Sequence, residues 1–177
     1  MRLLAKRSIR RGHFTLASGR TSTYYIDARL TTMSPDGMAL AGPVSLEAIR
    51  ARGWNPDAVG GLTLAADPVA YAIAYASTTR PPLVRAFTVR KEPKQHGTGQ
   101  LVEGPLVTGD HVVIVEDVIT TGSSAMRAAQ GALAVGAVVH GVLALVDREE
   151  GGRAALEAGG YHVLCLTTIS ELLALRV

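Results

Sequence analysis

The chain has 177 residues, 47% of them hydrophobic and 5% aromatic, which excludes a disordered chain and leaves Val, Leu, Ile and Ala to build the core of one domain. Its formal charge is +3 with a pI near 9.3, too weakly basic to argue for nucleic acid and well matched to a small polyanionic ligand. One cysteine, Cys165, excludes an internal disulfide framework, and no apolar stretch approaches the roughly 20 residues that span a bilayer.

The basic start "MRLLAKRSIRRGH" lacks the apolar run of a signal peptide. With the lone thiol, this predicts a soluble, cytoplasmic protein in a reducing compartment, with no membrane and no nucleic-acid partner. "HFTLASGRTSTYYIDARL" has short strand-like pieces around an "SGRTS" turn. "SPDGMALAGPVSLEAIRARG" reads as helix, started by Ser34 and Pro35, stopped at Gly53 and kinked or split by Pro43. These first 56 residues read as an appendage.

From Asp57 onward apolar runs alternate with alanine-rich helical stretches. "DAVGGL" is a strand, and "DPVAYAIAYAST" a helix with Asp67 as N-cap and Pro68 at its first position. "PLVRAFTV" and "HVVIVE" are strands, and "SSAMRAAQGALAVG" is a helix ending at Gly136. The strand "AVVHGVLALV", the short helix "GRAALEAGG", the strand "YHVLCLT" and the helical tail "ISELLAL" follow. Several strands are continuous apolar runs, the mark of a parallel sheet covered on both faces. The alternation predicts a doubly wound α/β core whose ligands bind beyond the carboxyl ends of the strands. Residues 90–104, "RKEPKQHGTGQLVEG", are charged, glycine-bearing and long for an inert loop.

The most informative stretch is "VVIVEDVITTGSS", residues 112–124. A buried strand ends in Glu116 and Asp117, and a loop of small residues leads to the next helix. Gly122 permits a backbone angle other residues resist. The helix start adds partial positive charge, and Thr120, Thr121, Ser123 and Ser124 add hydroxyl donors. That is a phosphate cradle. The two carboxylates suit sugar hydroxyls instead, directly or through a hydrated cation. Phosphate on one side and a diol on the other describes a ribose 5-phosphate. Taken as an isolated fragment, a core strand with two solvated acids and a capped helix would be the plainer reading.

The full pattern closely resembles the phosphoribosyl pyrophosphate (PRPP) motif of type I phosphoribosyltransferases. The resemblance implies a five-stranded, mostly parallel sheet flanked by helices over residues 57–177. It also implies a small N-terminal hood over residues 1–56, which the C-terminal tail is a candidate to join. Further implied is Mg²⁺-dependent displacement of pyrophosphate from PRPP by a nitrogenous base. Glu116 and Asp117 would contact the ribose hydroxyls, with Val118, Ile119, Thr120, Thr121, Gly122, Ser123 and Ser124 completing the PRPP site.

That motif does not name the base, but three other stretches do. "RKEPKQHGTG" resembles the mobile catalytic loop of orotate phosphoribosyltransferases, matching at Arg90, Lys91, Glu92, Lys94, His96 and Gly97. "FTLASGRTSTYYIDAR" resembles that family's N-terminal segment, which implies Tyr24 and Tyr25 near the base. "LVDREEGG" resembles the segment whose arginine, here Arg148, meets the orotate carboxylate. Orotate is an anion, so an arginine in its pocket is useful where a neutral purine would gain little. Arg90, Lys91, Lys94 and His96 suit a departing pyrophosphate. Lys91, Lys94, His96 and Asp117 are the candidate catalytic residues, and Tyr24, Tyr25, Thr120 and Arg148 the candidate orotate contacts.

Leu62, Thr63, Leu64, Ala65, Ala66 and Asp67 form the candidate pyrophosphate loop. Mg²⁺ is expected to be held by PRPP and water, with no direct protein ligand and Asp67 as an outer-shell candidate. Ala17 and Ala65 stand where many family members carry lysine. The family's loop reaches the neighbouring subunit's site, so a homodimer sharing loop 90–104 is implied. A purine phosphoribosyltransferase would not need Arg148 or the 90–97 pattern, and a PRPP-sensing nucleic-acid regulator would need an added basic face. His140 and His162 read as strand residues with structural roles.

Overall fold

The apolar runs assemble as one sheet buried on both faces. The protein is seen here as a computed structural model that describes residues 1–15, 19, 21–92 and 101–175. In chain order its elements are α1 (Arg2–Ser8), β1 (Ile9–Thr15), β2 (Thr21–Ile26), α2 (Arg29–Thr32), α3 (Pro35–Ala51), β3 (Ala58–Leu62), α4 (Asp67–Ser77) and β4 (Arg85–Val89). Then come β5 (Val102–Glu103), β6 (His111–Ile119), α5 (Ser123–Ala134), β7 (Val138–Asp147), α6 (Gly152–Ala158), β8 (Val163–Thr168) and α7 (Ile169–Ala174). The main sheet has the order β5-β4-β3-β6-β7-β8, and β1 and β2 form a separate antiparallel hairpin. Strands β4, β3, β6, β7 and β8 are mutually parallel, and the two-residue β5 runs antiparallel to β4. This is the expected α/β architecture with one small edge strand added.

Two apolar clusters fill the faces. On one, Ala5, Leu46, Ile49, Val69, Ile73 and Leu172 of α1, α3, α4 and α7 meet Val59, Val113, Val115, Leu143 and Leu145 of the sheet. On the other, the small residues Ala125, Ala128, Ala129 and Ala132 let α5 lie close over Val112, Ile114, Val142 and Ala144, with Leu156 of α6 beside them. Each fully buried Val, Leu or Ile contributes roughly 1.5–3 kcal/mol. Trp54 is 8% exposed and so close to Gly141 that a Cβ there would sit 2.6 Å from its ring. Cys165 packs against the second cluster, and burial pushes its thiol up to about 11, which suits a core residue rather than a reactive one.

Several local details differ from the sequence expectation. Strand β6 does not stop at the acids: its pairing with β7 continues through Val118↔Val146 and Ile119↔Asp147. Helix α3 passes through Pro43 unbroken, and Ser34 caps it by accepting from the Gly37 amide at 3.2 Å. Asp67 is the first residue of α4, not its cap, which is Ala66. His162 precedes β8 and is exposed. His140 does lie in a strand, where its ring stacks on His111 at 4.9 Å.

Chain order determines where a ligand can sit. From β3 the chain moves outward to β4, then returns to β6 on the other side of β3. The crevice beyond the carboxyl ends of β3 and β6 is therefore the topological switch point, where open α/β sheets bind ligands.

Candidate active site

Glu116 and Asp117 lie at this crevice, near the carboxyl end of β6, with exposures of 6% and 8%. From Val112 to Val115 the side chains alternate between the two clusters, but beyond Asp117 the phase changes: Val118 joins the first cluster and Ile119 the second. The acids sit where the regular alternation ends. Burial first, then the Asp117 charge, pushes the Glu116 carboxyl up to about 8. Burial also raises Asp117, opposed by the Val118 amide bonding its Oδ1 at 2.8 Å and by the charge of Arg29. Glu116 Oε2 has no hydrogen-bond partner among the described residues. A buried, orphaned carboxyl oxygen is costly unless a donor arrives, and a sugar hydroxyl supplies one.

Residues 120–124 follow directly. Gly122 has φ 80 and is the N-cap of α5. Thr121 Oγ1 and Ser123 Oγ are 3.1 Å apart. Gly122 offers no capping side chain, and the Ser123 amide makes only a long 3.4 Å bond to Thr121 Oγ1, so the first turn of α5 has amides to offer an anion. The loop is held from behind by close packing: a Cβ on Gly152 would lie 2.3 Å from Thr120 O, and one on Gly122 would lie 2.8 Å from Gly152 O.

The same packing brings in the segment after β7. The Arg148 amide donates to Ile119 O at 3.0 Å. The Arg148 side chain is 11% exposed, and its guanidinium carbon lies 5.5 Å from the Tyr24 ring centroid. Its Nε is 3.0 Å from Glu150 Oε1 but out of hydrogen-bond alignment, and Nη2 has no hydrogen-bond partner among the described residues. A largely buried guanidinium with an unpartnered Nη2 under an aromatic ring has the chemistry to receive a planar anion. Tyr24 faces Arg148, whereas Tyr25 lies 5.7 Å from the Phe14 ring.

Leu62 ends β3, and Thr63, Leu64, Ala65 and Ala66 lead into α4, with the Thr63 amide donating to Val89 O at 2.8 Å. Both Asp67 carboxylate oxygens are engaged, by the Thr63 hydroxyl at 2.8 Å and the Thr88 hydroxyl at 2.8 Å. Asp67 therefore ties the loop to β4 within the protein. Arg90 marks the base of the 90–104 segment. Its amide donates to Leu101 O at 2.8 Å, and its Nη1 lies 3.7 Å from Glu103 Oε1. Arg127 of α5 holds the Lys91 carbonyl, and Lys91 is exposed. Ala17, Lys94, His96 and Gly97 lie outside the described residues.

Among the described residues no group of three or more His, Cys, Asp or Glu is placed to hold a metal ion. The buried acid pair, with its orphaned oxygen, fits a cation carried in on substrate oxygens and water. Sequence reasoning passed over Arg29, paired to Asp27 at 2.8 Å and near Asp117, and also Glu150 and Arg127. Arg29 stands inside the quoted "YYIDAR", but nothing in its spacing signals a charge beside the acids.

No protein-family model matches the sequence. The chain is 46% identical over 175 residues to an orotate phosphoribosyltransferase of Aquifex aeolicus, covering 97% of this chain and 94% of the relative. It is 43% identical to that of Rhodopirellula baltica, covering 96% and 90%. Among solved structures, the Mycobacterium tuberculosis orotate phosphoribosyltransferase in complex with Fe(III) dicitrate superposes with a TM-score of 0.85 at 42% identity, covering 96% of this chain and 94% of that one. The same organism's enzyme in complex with PRPP gives a TM-score of 0.74 at 39% identity, covering 83% and 82%. With close identity over nearly its whole length, and with an acid pair, a hydroxyl-rich glycine loop and a buried arginine at one crevice, the chain belongs to the orotate phosphoribosyltransferase family.

Proposed function

We propose that the protein transfers the 5-phosphoribosyl group of PRPP to N1 of orotate, giving orotidine 5′-monophosphate and pyrophosphate, a step of de novo pyrimidine biosynthesis. The observation that carries this reading is Arg148: a guanidinium 11% exposed, with an unpartnered Nη2, beneath Tyr24 and hydrogen-bonded through its amide to the end of β6. This supports reading Arg148 as an anion receptor beside a ribose 5-phosphate site.

In this reading the 5-phosphate sits on the amides and hydroxyls of 120–124, and the ribose hydroxyls donate to Glu116 and Asp117. Pyrophosphate lies against the backbone of 62–67, and orotate lies with its carboxylate on Arg148 and its ring along Tyr24. Glu116 and Asp117 would stand beside a Mg²⁺ brought in with PRPP, and the ion would supply charge neutralisation to the leaving group. Lys91, Lys94 and His96 add donors to that charge and help to exclude water. As the bond to pyrophosphate lengthens, the ribose gains oxocarbenium character, as in glycoside transfer. Orotate N1 then attacks the opposite face. Catalysis is positioning and electrostatics, with no covalent enzyme intermediate.

We further infer a homodimer in which residues 90–104 of one subunit reach its partner's site, and a cytoplasmic location. No helix among the described residues is long and apolar enough to cross a membrane. The Mycobacterium tuberculosis relative in complex with PRPP supports the substrate assignment. The test is a spectrophotometric assay with PRPP, Mg²⁺ and each base in turn. Orotate should be consumed, and consumption of adenine or hypoxanthine without orotate would overturn the acceptor assignment.

A further inference from the structure

The two walls of the base pocket come from distant parts of the chain, Tyr24 from the hairpin and Arg148 from the turn after β7. Both have a neighbour bound to the same short helix. Arg11, the cross-strand partner of Tyr24, donates from Nη2 to Leu173 O of α7 at 2.6 Å. Glu149, next to Arg148, accepts at Oε2 from the Ser170 amide at 2.9 Å and from the Ser170 hydroxyl.

The helix that receives these bonds is itself fixed. Ile169 and Leu172 are 4% and 1% exposed within the first cluster. Thr168 and Glu171 form a capping box at its start, and the Thr167 hydroxyl adds support by donating to Glu171 Oε2 at 2.7 Å. Glu149 is also the one non-glycine among the described residues with positive φ, at 59. Its amide donates to Asp147 Oδ1 at 2.8 Å. A charged β-carbon residue in the left-handed region is uncommon and is retained where surrounding bonds over-determine it. Here the bonds come from Asp147 on one side and Ser170 on the other.

We infer that α7 is a brace that fixes the spacing between Tyr24 and Arg148, and that Glu149 and Arg11 are positioning residues for the base. Neither reaches the site itself. Glu149 holds the turn that aims Arg148, and Arg11 holds the strand that carries Tyr24. The inference rests on the assignment of orotate to Arg148 and Tyr24.

The test is steady-state kinetics on the full-length enzyme, with KM for orotate and KM for PRPP measured separately. Glu149→Ala and Arg11→Ala should each raise KM for orotate roughly tenfold, since small misplacements of a binding group are costly. KM for PRPP should rise clearly less, because the acid-bearing end of β6 is also held by its pairing with β7 from Glu116 to Ile119, so the contacts of the turn with Ile119 O and Thr120 O are not its only support. Glu149→Gln should recover most of the orotate affinity, as its amide oxygen still accepts from the Ser170 amide. Glu149→Gly, which permits the positive φ but removes the acceptor, should behave like Glu149→Ala and so separate the brace from backbone strain. Unchanged orotate KM in Glu149→Ala, or equal rises in both KM values, would overturn the brace. Arg148→Ala distinguishes the two levels: a raised orotate KM there with none in Glu149→Ala refutes the brace alone. An unchanged one in Arg148→Ala refutes the base site and the brace with it.

Discussion

Replacing Glu116 by Gln asks whether this carboxyl carries a proton before substrate arrives. In the unfolded chain it ionises near 4.5, and in the fold it holds its proton to about 8. Between those values the folded state binds the extra proton. Stability is therefore whole below the unfolded value, falls as pH rises through the window, and levels off above about pH 8. At ~1.4 kcal/mol per unit, the ~2.5 units between the unfolded value and neutrality make the substrate-free protein on the order of 3 kcal/mol less stable near pH 7 than in mild acid. Asp117 is raised as well, so its contribution has the same sign. Glutamine keeps the volume and cannot ionise. Glu116→Gln should flatten the slope and be more stable than wild type by on the order of 2–3 kcal/mol near pH 7, while binding PRPP more weakly. Urea unfolding followed by circular dichroism, from about pH 5 to about pH 8, reads this directly. Calorimetry in buffers of different ionisation enthalpy should show proton release when wild type binds PRPP. A variant whose stability tracks wild type at every pH would refute the protonated-acid argument.

Gly152→Ala should drive a methyl group against Thr120 O, where only 2.3 Å is free. We expect a loss of roughly 1–3 kcal/mol in thermal melts and a raised KM for PRPP. Lys94→Ala should lower kcat far more than it weakens PRPP binding, and equal turnover in mutant and wild type would remove the loop from the chemistry. Mixing Lys94→Ala with Asp117→Asn subunits should restore part of the activity, with proven heterodimers that stay inactive counting against a shared site. EDTA should abolish turnover and added Mg²⁺ should restore it, as read in the orotate assay.

Much of the fold was readable because its signals are local. The five parallel strands follow from continuous apolar runs, and Gly122 takes the left-handed conformation its place in "TTGSS" asked for. Other features depend on partners far along the chain. Asp67 looked like a helix cap because Pro68 follows it, but its carboxylate is taken by two hydroxyls, the nearby Thr63 and the distant Thr88 on the next strand, and the second is not legible locally. Strand β6 outlasts its acids because β7 pairs with it to Ile119, and pairing is invisible in one strand's sequence. The depth of Glu116 and Asp117, 6% and 8% exposed, had the same origin: their place at the strand end was legible, but how far neighbouring elements cover them was not. The helix α1 and the edge strand β5 went unseen because a basic start and a two-residue strand carry little periodicity.

Trp54, wedged over Gly141, has a practical consequence. It is the single indole of the chain, and it sits on the body of the sheet rather than among the residues that receive substrate. Its emission should therefore report loss of tertiary packing while staying nearly silent to ligand. The protein carries a built-in fluorophore that separates collapse of the scaffold from occupancy of the crevice, so a variant that has lost affinity can be told from one that has lost its shape.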